Sequence, residues 1–236
     1  MGRIFEKRKH KMFARFAKMS QAFNRVRKEI EIAVKANGVD PKGNTRLKIA
    51  LQNAKSVNMP KDRIDAAIKR ASSKDTTGYS EIIYEGYGPH GVAIIVETAT
   101  DNHNRTVANV RHLFRKYEGA LGNAGSITFM FERKALIKLD KAAVPSPDDL
   151  ELELIDFGLG EMIVEEDSVF IYTDFEDFGK MQKALEEKNI EVNSSELQYI
   201  PLNYKELSDE QANEVNELLE ALDDDDDVQS VYHNMQ

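Results

Sequence analysis

The chain of 236 residues contains no cysteine. This absence excludes disulfides, thiolate metal sites and cysteine nucleophiles. The chain also lacks any apolar run approaching the ~20 residues that a helix needs to cross a bilayer. Its basic start is not followed by the apolar segment of a secretory signal. We therefore expect a soluble, cytoplasmic protein.

Common catalytic and metal-binding patterns are absent as well. The five histidines form neither H-x-x-x-H nor H-E-x-x-H, so we expect no metal site. Neither a G-x-S-x-G sequence nor a Walker sequence occurs. We therefore expect no catalytic residues, no cofactor and no enzymatic activity.

What the chain does have is an uneven distribution of charge. Residues 1–77 carry 20 Lys and Arg against 7 Asp and Glu, a net of +13, whereas the remaining residues carry 12 against 34, a net of −22. The overall net charge of −9 hides this division. Such asymmetry indicates a basic module for polyanions joined to an acidic body, and a merely solvated helical surface is the alternative.

Hydrophobic spacing in the first 77 residues is that of helices. It predicts a basic helix or arm at residues 3–18, followed by three short amphipathic helices in a small bundle. The first short helix would have Ser20 as its N-cap and end at Gly38. Asn44 would cap the second, and Pro60 would occupy the first helical position of the third.

From Gly78 onward the apolar period changes from about 3.6 to 2, which indicates strands. The next elements are predicted to be a strand at "SEIIYEGY", a strand at "VAIIVETAT", a helix at "RTVANVRHLFRKYEG" and a strand at "SITFMFER". Residues 135–200 then follow the order βαββαβ, which is typical of a ferredoxin-like unit.

The tail from residue 201 predicts a strand near 201–204, a helix from Ser208 to Leu222 and a final strand at "VQSVYHN". The run from Asp223 to Asp227 is predicted to be a solvated loop. Because this β-α-β tail has no core of its own, we expect it to complete the sheet of the earlier strands.

The predicted fold class is therefore α+β with three domains. They are a basic helical domain at 1–77, a discontinuous α/β domain at 78–134 plus 201–236, and an inserted ferredoxin-like α/β domain at 135–200.

Gly86, Gly88 and Gly91 match G-x-G-x-x-G, the spacing of dinucleotide-binding loops. Such a loop binds phosphate only where a helix begins after the glycines. Here Gly91 is followed by a strand pattern, and Pro89 has no N–H to offer a phosphate. We therefore predict the turn of a β-hairpin and no dinucleotide site.

The basic residues of the first domain are the candidate nucleic-acid contacts. Each phosphate that they neutralise releases counterions, which makes binding salt-dependent. The candidates are Lys7, Arg8, Lys9, Lys11, Arg15, Lys18, Arg25, Arg27, Lys28, Arg46, Lys48, Lys55, Lys61, Arg63, Lys69 and Arg70. A possible anion site is predicted at Asn104 and Arg105, with an Asn cap beside a surface arginine as the alternative.

Four separated segments are distinctive: "NMPKDRIDAAIKRASS", "YEGYGPHGVAIIVETATDNHNRTVANVRHLF", "GSITFMFER" and "DDVQSVYHN". They resemble the YebC family, also called PmpR-type probable transcriptional regulators. The resemblance implies a cytoplasmic, non-enzymatic protein with a helical domain followed by two α/β domains. Many members open with a motif like H-S-K-W-A-N-I-K-H-R-K, whereas this chain opens with "GRIFEKRKHKMFARFAK". The cations persist, but the Ser, Trp and first His are absent.

The resemblance also implies a role, because family members are described as DNA-binding transcriptional regulators. Related members, including mitochondrial ones, are translational activators or ribosome-associated factors. The leading hypothesis is therefore DNA binding through the basic helical domain, with the acidic domains shaping the surface or engaging a protein partner. The alternative is a translation factor that binds ribosomal RNA or the ribosome. A third hypothesis is an enzyme built around the glycine turn and His103.

Overall fold

The computed structural model describes residues 3–73 and 78–236, with side chains from residue 18 onward within those ranges. A helical N-terminal region is followed by two four-stranded antiparallel sheets with helices packed on them. The predicted α+β class is confirmed. Within the described ranges, no helix is both long and apolar enough to cross a membrane.

The N-terminal region consists of α1 (Arg3–Asn37), α2 (Thr45–Ser56) and α3 (Lys61–Ser72). The prediction of a helix break at Ser20 is wrong, because α1 runs through that position without interruption. Residues 3–37 contain neither glycine nor proline, so nothing in the backbone stops the helix. It ends at Gly38, whose φ of +85° is a left-handed conformation that glycine adopts freely.

Side-chain capping links α1 to α2. The Asn44 side chain accepts a hydrogen bond from the backbone N–H of Leu47, as predicted, and donates to the carbonyls of Ala33 and Gly38 at 2.8 Å. Asn44 therefore joins the start of α2 to the end of α1. Pro60 is the N-cap of α3 and not its first helical residue, so the helix begins one residue later than predicted.

One apolar core holds the helical region together. It is formed by side chains that recur at helical spacing on α1, α2 and α3. Its largest buried members are Phe23, Val26, Ile30, Val34, Leu47 and Met59.

The remaining elements are eight strands and four helices in the described part of the chain. In chain order they are β1 (Ser80–Tyr87), β2 (Ala93–Thr100), α4 (His103–Lys116), β3 (Ala120–Leu121), β4 (Phe131–Asp140), α5 (Pro147–Leu154), β5 (Leu159–Val164), β6 (Ser168–Asp174), α6 (Phe178–Glu187), β7 (Val192–Pro201), α7 (Asp209–Asp223) and β8 (Val228–His233).

The first sheet has the strand order β3-β1-β2-β8. Its last strand comes from the C-terminal tail and pairs antiparallel with β2, so the tail does return to the earlier strands. Ile94 and Val96 of β2 face a core shared with α4 and α7. Ala93 and Ile95 point the other way and pack with Tyr199 and Tyr232. Both faces of β2 are therefore buried.

The second sheet has the order β5-β6-β4-β7 and is antiparallel throughout. Its elements follow the chain order βαββαβ, with α5 and α6 packed against the sheet. No strand forms near residues 201–204: β7 ends at Pro201, and only an isolated bridge joins Lys205 to Met235.

Strand β4 differs from its prediction. "SITFMFER" and residues 135–139 were expected to be two strands, but residues 131–140 form one strand that crosses the predicted junction at 134/135. Residues 128–130 form a single 3-10 turn. The Glu85 carboxylate accepts hydrogen bonds from the backbone N–H groups of Gly125, Ile127 and Thr128 at 2.6, 2.7 and 2.8 Å. Those donors are therefore not available for strand pairing.

Gly86 of β1 provides a test of the packing against α4. A Cβ at this position would lie 2.6 Å from Cε1 of Phe114 and 2.7 Å from the carbonyl oxygen of Ala120. We expect Gly86→Ala to lower the free energy of unfolding by about 1–3 kcal/mol through overpacking, measured by urea denaturation. The matched control is Gly179→Ala in α6, where a Cβ would meet nothing within 4 Å. It should raise stability by about 0.5–1 kcal/mol, and equal effects of the two variants would contradict the packing described.

Candidate nucleic-acid interface

The candidate contacts at the start of the chain lie on α1. Lys7, Arg8, Lys9, Lys11 and Arg15 fall within this helix, but their side chains lie outside the described residues. Residues 3–18 carry seven Lys and Arg against one acidic residue, Glu6. Lys18 is the first candidate whose side chain is described, and it is exposed.

Lys28 is the clearest correction to the predicted contacts. It is only 4% exposed, so no phosphate can reach it in this conformation. Its Nζ donates to the carbonyl of Ala99 at 2.7 Å and to that of Asp226 at 2.6 Å, and it forms an ion pair with Asp227 at 3.2 Å. Lys28 therefore joins α1 to β2 and to the acidic run before β8.

Asp227 is the buried centre of this contact. Its Oδ2 accepts from Arg105 at 2.7 Å and from Thr106 at 2.8 Å, while Oδ1 faces Lys28. Burial alone would raise the pKa of Asp227, but the hydrogen bonds from these three residues outweigh burial and leave the pKa below its usual value. The prediction that the run from Asp223 to Asp227 is a solvated loop is wrong at Asp227, because this residue is only 5% exposed.

Two neighbouring arginines of α1 are also engaged inside the chain. Arg25 forms an ion pair with Asp223 at 2.7 Å and donates to the carbonyl of Val228 at 3.3 Å. Arg27 pairs with Glu31 at 2.9 Å and donates to the hydroxyl of Tyr79 at 3.3 Å. The second half of α1 therefore lies against the acidic run, and its cations serve domain contacts.

The cations of α2 form exposed ion pairs with acidic residues of the two sheet-bearing parts. Arg46 pairs with Glu81, Lys48 with Glu186 and Lys55 with Glu191. Exposed pairs of this kind contribute little stability, about 0–1 kcal/mol each. A phosphate can therefore replace the carboxylate at small cost.

The cations of α3 remain at the surface. Arg63 lies over the ring of Phe23 at 5.3 Å from its centre, and Arg70 lies 3.9 Å from the Glu31 carboxylate. Lys61 and Lys69 are exposed and, among the side chains that the structure describes, form no ion pair. Of the cations whose side chains the structure describes, Lys18 and those of α3 lie at the surface whereas Lys28 is buried, so the described positive surface is smaller than the sequence predicted.

The structure argues against the predicted anion site at Asn104 and Arg105. The guanidinium of Arg105 is bound by Asp101 at 2.9 Å and by Asp227 at 2.7 Å, so two carboxylates already neutralise it. Asn102 is the N-cap of α4 and accepts from the backbone N–H of Arg105. This arrangement matches the alternative, an Asn cap beside an arginine.

The glycine turn is the turn of a hairpin, as predicted. β1 and β2 pair antiparallel along their full length, with Gly86 opposite Ile94. His103 begins α4, which follows the end of β2 that is remote from the turn. It stacks on Tyr84 with ring centres 6.4 Å apart. The turn and His103 do not form one site.

Family models cover nearly all of the described chain. The model for the TACO1/YebC N-terminal domain matches residues 3–74, and the model for the TACO1/YebC second and third domain matches residues 79–235. The chain belongs to the TACO1/YebC family. This confirms the resemblance seen in the four separated segments.

Several relatives match this chain over its whole length. A protein from Cytophaga hutchinsonii is 54% identical over all of this chain and 98% of its own length. Another from Myxococcus xanthus is 52% identical over all of both chains. Both are called "Probable transcriptional regulatory protein". The crystal structure of a conserved hypothetical protein from Aquifex aeolicus superposes with a TM-score of 0.80 at 35% identity, covering 92% of this chain and 90% of that one.

The buried cluster around Asp227 was not predicted from the sequence. One signal was present in the sequence. The carboxylates of an acidic run repel one another unless cations lie close to them, and α1 carries three cations within residues 25–28. Pairing residues about 200 positions apart requires the tertiary arrangement, which periodicity does not supply.

The buried ion pair predicts a large difference between two lysines. Lys28→Ala should lower the free energy of unfolding by about 3 kcal/mol, because it leaves Asp227 buried and short of a partner. Lys55→Ala removes an exposed pair, with side chains 75% and 78% exposed, and should change stability by no more than about 0.5 kcal/mol. Urea denaturation at neutral pH measures both, and similar losses would contradict the assignment.

Asp227 also predicts a pH dependence. Its pKa in the folded protein is below the ordinary value of 3.8, so its stabilising effect is full above that pH and is lost as pH falls through the folded pKa. Asp227→Asn should therefore be less stable than the natural protein at pH 7, and the difference should shrink below pH 3.8. Thermal unfolding between pH 7 and 3 tests this, and a constant difference would refute it.

Proposed function

We propose that this protein is a cytoplasmic transcriptional regulator that binds DNA through α1 and α3. The observation that carries the proposal is that the cations in the two halves of α1 differ in their contacts and their number. Its second half uses Arg25 and Lys28 to hold the acidic run, while residues 3–18 hold seven further cations beside one acid. The names of the relatives, which describe probable transcriptional regulatory proteins, support a regulatory role.

The exposed ion pairs of α2 support a DNA-binding surface that includes this helix. Their carboxylate partners are at least half exposed, so they are solvated and screened by salt. When a phosphate approaches, Arg46, Lys48 and Lys55 can exchange partners and add to binding. Arg105 and Lys28 take no part, since both are paired with the buried Asp227.

We also propose three domains at 1–77, at 78–134 plus 201–236, and at 135–200. The gap between the two family-model matches and the pairing of β8 with β2 support this division. The strand order β5-β6-β4-β7 supports a ferredoxin-like fold for the third unit. The acidic domains engage a protein partner and repel nucleic acid, which confines binding to the helical domain. No enzymatic activity is required for this role.

Charge reversal tests the DNA-binding surface. The variant changes Lys7, Lys9, Lys11, Arg15 and Lys18 to Glu and should bind duplex DNA more weakly. Its log–log salt slope should be shallower by up to about 4.5, since each lost phosphate contact removes about 0.9. Fluorescence anisotropy across a salt series measures this.

The matched control reverses five exposed cations of the acidic part, namely Arg111, Arg115, Lys116, Lys180 and Lys183. It should leave the salt slope unchanged. Unchanged DNA binding in the α1 variant, or an equal loss in the control, would refute the proposed surface. Crosslinking in cells with sequencing of both nucleic acids separates targets: promoter DNA supports the proposal, and ribosomal RNA alone replaces it with the translation-factor alternative.

A further inference from the structure

Strand β5 forms an open edge of the second sheet. It pairs with β6 on one side, and no described strand lies on its other side. The backbone N–H of Glu165 donates to the carbonyl of Ser168 at 2.8 Å, which closes the hairpin between β5 and β6. Because backbone groups alternate in direction along an antiparallel pair, those of Met162 and Val164 point away from β6. Within the described ranges, these outward groups have no hydrogen-bond partner.

The opposite edge of the same sheet, β7, is covered by the helical region. The side chain of Asn53 on α2 donates to the carbonyl of Ser195 at 3.0 Å and accepts from the N–H of Ser195 at 3.1 Å. One amide side chain therefore takes the place of a neighbouring strand. Unpaired edges invite the addition of another strand, and proteins commonly cover them. Strand β5 has no such cover among the described residues, so its edge is available to a partner.

Strand β5 also exposes apolar side chains. Ile163 and Val164 are 39% and 43% exposed. Because they are neighbours in a strand, they lie on opposite faces of the sheet. The side chains of an added strand alternate between the same two faces and would cover both residues. Burial of this apolar surface and new main-chain hydrogen bonds would together favour the addition.

The charge around this edge specifies what can bind there. Residues 146–167, from the N-cap of α5 to the turn between β5 and β6, contain nine Asp and Glu and no Lys, Arg or His. All nine are exposed, and of the described side chains in this segment only Glu153 forms an ion pair, with Lys188. Pairing with a second copy of β5 or with nucleic acid would bring like charges together. A basic segment is therefore the complementary partner.

The spacing of the acids on β5 gives the partner a pattern. Glu161, Ile163 and Glu165 are two residues apart and therefore share one face of the strand. A complementary strand has a cation, an apolar residue and a second cation at the same spacing on that face. Met162 and Val164 lie on the other face and favour apolar residues at the two positions between.

We propose that β5 is the docking site for an extended basic segment of a partner protein, which adds antiparallel to the four-stranded second sheet. The main chain of this segment bonds the outward groups of Met162 and Val164, and its cations pair with Glu161 and Glu165. The site rests on the proposed engagement of a protein partner by the acidic domains, and it specifies the strand and the chemistry of that partner. The cations of α1 and α3 take no part in it.

The test uses the full-length protein and a fluorescently labelled peptide with the core Lys-Val-Val-Val-Lys. Fluorescence anisotropy at fixed ionic strength should show saturable binding. Glu161→Gln with Glu165→Gln should weaken this binding about tenfold, because two contacts between opposite charges are lost. Both side chains are exposed and neither forms an ion pair with a described residue, so the variant should melt at the same temperature as the natural protein.

The matched control is Glu217→Gln with Glu220→Gln, which removes the same charge from exposed positions on α7. It should bind the peptide within about twofold of the natural protein. A second peptide, with the core Lys-Pro-Val-Pro-Lys, keeps the charge but lacks the two N–H groups that would face β5. It should bind the natural protein about tenfold more weakly, because proline cannot donate to a strand ladder.

Absence of saturable binding would overturn the proposal. Equal binding of the two peptides, or an equal loss in the control, would also overturn it, because either result would mean diffuse attraction of cations to an acidic surface. A dimer of the natural protein in sedimentation that Val164→Pro dissociates would assign the edge to a second copy instead. The DNA-binding surface is judged separately: peptide binding without DNA binding by the natural protein would refute that surface and support this docking site.

Discussion

The buried contact between Lys28 and Asp227 is the constraint on which the arrangement of the domains depends. One ammonium group satisfies the carbonyls of Ala99 and Asp226 and faces the Asp227 carboxylate. The same carboxylate holds the start of α4 through Arg105 and Thr106. Since these groups are removed from water, losing any one leaves the others unsatisfied. The helical region is thereby tied to the first sheet.

This contact changes how the charge asymmetry is interpreted. Some cations of the helical region form ion pairs with residues of the acidic run, as Arg25 and Asp223 also do. The described cations of α3 lie outside these contacts, and together with the cations near the start of α1 they carry the proposed nucleic-acid binding.

Much of the local structure could be predicted, because its causes are local. Asn44 and Ser208 cap helices through hydrogen bonds to residues three positions on, so sequence spacing reveals them. The predictions failed where a distant group decided the outcome. Glu85 binds backbone donors about 40 residues away and shortens the predicted strand at "SITFMFER". The expected break at Ser20 failed for another reason: a good N-cap residue does not end a helix that has no breaker.

The sequence by itself determined the α+β class, the positions of most helices and strands, the hairpin at the glycines and the family, because periodicity, capping and turn chemistry act over a few residues. Only the tertiary structure decided which cations are buried and which carboxylates they meet. Those outcomes depend on Coulomb interactions and desolvation between residues such as Lys28 and Asp227, which are 199 positions apart in the chain.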